Sequence, residues 1–181
     1  MHYPESAFVW FALLLVSWGP AGSTRAADAD ARIAALRSIT TEDVKEYVGA
    51  LADDTFEGRE SGSRGNRAAG IYVVDHLKKF GVRGGGAKDS FYQTWDNYHN
   101  ILGLIEGRDP TLKDEVIVIS AHFDHVGYGN SRNSLGPVGH IHNGADDNAS
   151  GVAGMLEVAD AVCRLAEKPK RSILFAFWDG E

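Results

Sequence analysis

Cysteine is almost absent from this chain: Cys163 is the only one in 181 residues. An internal disulfide is therefore excluded, and with it the crosslinked extracellular module that substitutes disulfides for a core. An excess of basic charge is missing too. Lys and Arg number 18 against 25 Asp and Glu, a net charge of −7. Binding nucleic acid takes clustered cations, so no nucleic acid partner is expected; the densest basic group, Lys168-Pro-Lys170-Arg171, reads as a solvated loop. Long apolar runs are lacking as well. The run from Ala7 to Trp18 falls well short of the ~20 residues a spanning helix needs, so stable membrane insertion is not expected. Gly84-Gly85-Gly86 lacks the GxxxxGK[ST] or GxGxxG pattern of a phosphate loop and reads as a turn. No internal repeat or linker divides the sequence.

What remains is an ordinary globular composition, 44% hydrophobic and 24% charged, in a chain long enough for one sizeable core. The apolar run Ala7–Trp18 leads into Gly19-Pro20 and the small residues Ala21 to Ala27, where a signal peptidase cleaves its substrates. Residues 1–27 are therefore read as a signal peptide and the protein as exported, periplasmic or secreted, although MHYPES brings no Lys or Arg and includes Glu5. The competing reading is a buried or membrane-resting N-terminal helix.

Residues 40–52 are predicted to form an amphipathic helix, with Thr40 as N-cap and Val44, Tyr47, Val48 and Leu51 on one face. A polar, glycine-rich stretch follows, containing Glu57-Gly-Arg59 and Ser61-Gly-Ser-Arg-Gly65. A second helix spans about Asn66–Phe80 and is closed by Gly81. Phe91–Trp95 and Asn100–Glu106 read as strands. Val116–Ser120 and Ile173–Trp178 are continuously apolar, the pattern of strands covered on both faces. Between them a helix over about Ser150–Glu167 repeats apolar residues at helical spacing, with Cys163 as a small core residue. Strand, helix, strand implies a parallel crossover, and hence a three-layer αβα sandwich around a mostly parallel sheet.

Three clusters of metal-type ligands stand at the ends of these apolar segments. In His122-Phe123-Asp124 the residues two apart point the same way in an extended segment, so the carboxylate can orient the imidazole; a histidine simply hydrogen-bonded in a loop is the bland alternative. Asp146-Asp147-Asn148 puts adjacent carboxylates in an uncrowded turn between Gly144 and Gly151. Such a pair repels itself unless a cation is near. An acidic cap on the Ser150 helix is the competing reading, and the twelve-residue calcium loop is absent. Asp179-Gly180-Glu181 offers a ligand or a general base and by itself decides nothing. In open α/β sheets the ligand crevice lies beyond the carboxyl ends of strands, where His122 and Glu181 fall.

HFDHVG, NGADDNASGVAGMLE and KRSILFAFWDGE, in this order and spacing, resemble the dizinc exopeptidase family of bacterial leucyl-type aminopeptidases, which includes glutaminyl cyclases and glutamate carboxypeptidases. The resemblance extends back to about residue 40. It implies two Zn2+ ions in a complete site, held by a histidine, a bridging aspartate, a glutamate, a second aspartate and a second histidine. By position, His122 matches the first histidine and Asp147 the bridging carboxylate. Asp124 matches the carboxylate that orients the histidine, and Glu181 the general base. The bond Asp147–Asn148 is expected to be cis. The glutamate ligand would follow Glu181, and the remaining ligands would lie further on. Residues 32–181 are accordingly expected to be the N-terminal portion of a zinc peptidase domain, truncated at the catalytic glutamate with its C-terminal part missing. His125, His140 and His142 are selected by no spacing rule and read as loop residues near the crevice. Asn148-Ala-Ser150 fits a glycosylation pattern but would sit beside the metals, and is set aside.

The resemblance implies an aminopeptidase acting on peptide substrates. Alternatives that keep the fold are glutaminyl cyclase-like acyl transfer and a metal-free scaffold. With His122 and Asp147 as its only matched ligands, the 181-residue polypeptide by itself is expected to bind zinc weakly and to leave aminoacyl-nitroanilides intact; robust turnover by the purified polypeptide would defeat the truncation reading.

Overall fold

The computed structural model describes residues 21–134 and 136–181. The segment read as a signal peptide lies outside them as far as residue 20. From there helix α1, Ala21–Arg37, runs through the region expected to hold the cleavage site. Among the described residues no helix is long and apolar enough to cross a membrane.

Local chemistry sets the next two helices. Helix α2, Thr41–Leu51, starts at Thr40, whose hydroxyl accepts from the Asp43 amide at 3.0 Å. Glu42 and Asp43 place negative charge in the first turn, where the helix dipole favours it. Helix α3, Arg64–Phe80, is capped by Ser63 and closed by Gly81 at φ 85°. There the Val82 amide donates to Leu77 O and the Gly81 amide to Lys78 O, a Schellman closure that only a residue tolerant of positive φ provides cheaply.

Five strands follow: β1 (Arg83–Gly84), β2 (Tyr92–Trp95), β3 (Tyr98–Ile105), β4 (Val116–His122) and, after helix α4 (Ser150–Cys163), β5 (Ser172–Trp178). The sheet order is β1-β3-β5-β4, with β2 also on β3. The β4–β5 pair is parallel, as the strand–helix–strand order requires, and the other pairings are antiparallel. The expected α/β class holds, with a mixed rather than mostly parallel sheet.

Register defines the core. Ile101, Gly103 and Ile105 oppose Phe177, Phe175 and Ile173. Against that face pack Leu51, Val73, Leu77, Val152 and Leu156 from α2, α3 and α4, all fully buried. Of the expected three layers, the described residues thus form two: helices over one face of the sheet.

Two expectations are corrected. Strand β4 is not covered on both faces. It is the last strand in the order, and Val116, Ile117 and Val118 are 51%, 47% and 52% exposed. A continuously apolar run looks the same whether or not a neighbour covers it. Helix α4 ends at Cys163 instead of Glu167. The residues beyond leave the helix to reach another loop, Pro169 O and Lys170 O accepting from the Arg108 and Asp109 amides. Cys163 packs at the core's edge, and burial pushes its thiol pKa up.

Phe175→Ala is expected to cost about 3–5 kcal/mol in urea unfolding, because it empties a fully buried position. Val118→Lys is expected to change stability by less than about 0.5 kcal/mol; a large loss there would mean that β4 is covered after all.

Candidate functional site

Because β4 and β5 run parallel with His122 opposite Trp178, the chain leaves both strands at one end of the sheet. The Phe123 amide continues the ladder to Trp178 O at 2.9 Å. Asp124 and Glu181 therefore emerge side by side, and the Glu181 amide donates to Asp124 Oδ2 at 3.1 Å.

The acidic turn reaches the same place. Asp147 follows the parallel strand β4 and precedes α4, with a cis Asp147–Asn148 bond as expected. Its carboxylate does not cap the helix. The side chain that bonds the first turn is Asn148, its Oδ1 accepting from the Gly151 amide at 3.1 Å. Asp147 is thus free to turn toward the strand end, where Oδ1 lies 3.0 Å from His122 Nε2 and Oδ2 lies 3.4 Å from His125 Nδ1. His125, which spacing did not single out, stands in the site. His142 does not; its ring is held within its own loop by Ser134 Oγ and Pro137 O. His140 makes no contact with the cluster among the described hydrogen bonds and ion pairs.

Asp124 is 4% exposed. Its Oδ2 accepts from Ser61 Oγ at 2.7 Å as well as from Glu181 N. Its Oδ1 is buried without a partner, 3.6 Å from His122 Nδ1. The imidazole Nδ1 instead sits 3.1 Å from the Asp124 main-chain oxygen. The two-apart spacing does bring the carboxylate to the ring, but competing donors hold its other oxygen. Burial, reinforced by the neighbouring Asp179, raises the Asp124 pKa against the opposing Ser61 hydrogen bond. Burial also lowers the His125 pKa, opposed by Asp147.

Behind these groups Asp179 is buried and doubly bonded, by Asn66 Nδ2 at 3.0 Å and the His99 amide at 2.9 Å. Ser61 Oγ accepts from the Gly180 amide at 3.1 Å while donating to Asp124. Sequence reasoning saw Ser61 and Arg59 only as parts of a polar loop. Arg59 is 1% exposed, and burial pulls its pKa down to about 10. Asp124, His125, Asp147 and Glu181, with Glu60 and Tyr98, line a cleft of about 480 Å³.

The donors suit a cation such as zinc. An imidazole nitrogen and a carboxylate oxygen face each other at 3.0 Å, which needs a proton or a metal between their lone pairs, and imidazole with carboxylate is a donor pair zinc accepts. The contact that fixes the His122 tautomer with Nε2 free is the one from Nδ1–H to the Asp124 main-chain oxygen at 3.1 Å; the carboxylate Oδ1 lies further off, at 3.6 Å. Among the described residues no group of three or more His, Cys, Asp or Glu is arranged to hold a metal ion.

The fold is an α/β arrangement similar to that of solved zinc exopeptidases. Residues 100–181 match the model of Peptidase family M28, in agreement with the resemblance carried by the motifs. The fold is similar to the Legionella pneumophila LapA aminopeptidase, with a TM-score of 0.61 at 16% identity, covering 84% of this chain and 38% of that one. It is also similar to a Zn-dependent exopeptidase from Parabacteroides distasonis, at 0.57 and 23%, covering 78% and 47%. A glutaminyl cyclase from Tannerella forsythia matches at 0.56 and 21%, again covering 78% and 47%. The chain spans less than half the length of these structures.

Ser61→Ala removes a hydroxyl donor from a buried carboxylate, at an expected cost of about 1.5–3 kcal/mol at pH 7. That bond lowers the Asp124 pKa. Its contribution is therefore present where Asp124 is ionised and fades as pH falls through the raised pKa. Urea unfolding of both proteins across acid pH should show the difference closing; a constant gap would contradict the assignment.

Proposed function

We propose that this chain supplies the zinc-binding and base-carrying face of a metal-dependent exopeptidase that removes N-terminal residues from peptides. The observation that carries the reading is the 3.0 Å approach of His122 Nε2 and Asp147 Oδ1, beside a cleft that Asp147 and Glu181 both line. His122 and Asp147 would hold zinc, and Asp124 would keep the imidazole in the tautomer that leaves Nε2 free. Zinc, when bound, supplies acidification of water and polarisation of the scissile carbonyl.

The chain's own contribution is proton handling and aim. Glu181 would accept a proton from the attacking water and return it to the leaving amine. Its main chain is tied to Asp124, so the base and the histidine-orienting carboxylate share one anchor. We further propose export, on the strength of the apolar Ala7–Trp18 run and the small residues after it.

The test is hydrolysis of aminoacyl-nitroanilides by a protein in which this chain is joined to the further ligands that the resemblance implies. A chelator is expected to abolish turnover and zinc to restore it, and Glu181→Gln is expected to lower kcat by about 10²–10⁴-fold. Cyclisation of an N-terminal glutamine peptide without hydrolysis would move the reading to acyl transfer, the reaction named for the similar T. forsythia enzyme. A metal-free, inert preparation would move it to a scaffold.

A further inference from the structure

We infer that Arg59 is a positioning residue whose guanidinium ties together the two segments carrying His122 and Asp147 and so sets the distance at which they face each other. The clamp is a property of the metal-free chain; only its consequence for zinc rests on the proposed function.

Arg59 Nε donates to Phe123 O at 2.8 Å, between His122 and Asp124. Nη1 donates to Asn143 O at 2.7 Å and Nη2 to Gly144 O at 2.9 Å, in the turn just ahead of Asp147. Nη1 also reaches Leu51 O at the end of α2. The acceptors are all main-chain carbonyls, on three segments far apart in sequence. Among the described residues no carboxylate forms an ion pair with this guanidinium; those that flank it, Asp124 and Asp147, act on it at longer range. Charge pairing is thus not what holds a fully buried arginine here. The guanidinium fork instead spends its donors on carbonyls of separate segments.

The main chain around Arg59 is built into the same junction. The His125 amide donates to Arg59 O at 3.1 Å and the Gly127 amide to Gly58 O at 2.9 Å. Gly58 sits at φ 68°, and a Cβ there would stand 2.5 Å from His142 O and 2.6 Å from Gly127 O. Gly58 therefore passes between residues 127 and 142 with no space for a side chain. A lysine at 59 keeps the charge but presents its donors from a single point, and cannot reach Phe123 O and Gly144 O together.

The test compares metal-free wild type, Arg59→Lys and, as a control, Arg164→Gln, an exposed arginine bonded only to Asp160. Amide hydrogen exchange is read at His125, Gly127 and Ala149, and at Val73 and Val74 in α3. In Arg59→Lys the first three are expected to exchange at least tenfold faster together while α3 is unchanged, and zinc affinity by calorimetry is expected to fall at least tenfold. The control should move neither. Unchanged exchange at the loops, or equal acceleration everywhere including α3, overturns the inference. A wild type that takes up no zinc but shows the paired loosening in Arg59→Lys retires the metal reading and leaves the clamp standing. A second measurement needs no variant: the Arg59 Nε–H of wild type should exchange at least tenfold more slowly than that of Arg164, and equal rates overturn the clamp.

Discussion

The parallel pairing of β4 with β5 is the constraint on which the rest depends. Its register is set by burial. Phe175 and Phe177 fit beneath the helices only when Ile119 and Ala121 lie beside them on the same face, and a shift of one residue would turn every side chain to the opposite side. With that register imposed, the ends of both strands coincide, and His122, Asp124 and Glu181 have one place to go. The position of the site is in this sense a consequence of how the core packs.

The polar groups behind the cleft follow a different rule. Asp124 and Asp179 are both buried carboxylates, and burying such charge is costly unless donors are supplied. Here they come from Ser61, Asn66, the His99 amide and the Glu181 amide. Each of these bonds also joins segments distant in sequence, so the groups that make the carboxylates tolerable also fix where the strand ends lie. One oxygen of Asp124 is left without a donor, beside the imidazole it would orient. Asn66 Oδ1 is the other buried oxygen that no donor reaches.

Much of the fold was legible because it is local. The cap at Thr40, the closure at Gly81 and the apolar runs of β4 and β5 are written within a few consecutive residues. The candidate site was legible for the same reason: His122 and Asp124 lie two apart, and Asp147 sits in a glycine-bounded turn before a helix. What escaped was relational. An apolar strand does not record whether it has a neighbour, so the exposure of Val116 and Val118 could not be read. His125 looked like any loop histidine until the Asp147 turn was brought against it. Arg59 left no signature, because its partners are main-chain carbonyls that every residue carries.

The sequence by itself determined the order of the elements from α2 to β5 except the two-residue strand β1, the helix ends with side-chain or glycine caps, and the residues offering imidazole and carboxylate donors; it did not mark α1 as a helix. These depend on side-chain chemistry over a few positions. Only the tertiary structure decided that Asn148 and not Asp147 accepts from the first turn of α4, that a buried arginine bonds the main chain of both loops, and that Ser61 joins Asp124 to the end of β5. Those outcomes depend on which distant segments the core forces together, and that is set by shape and burial across the whole chain.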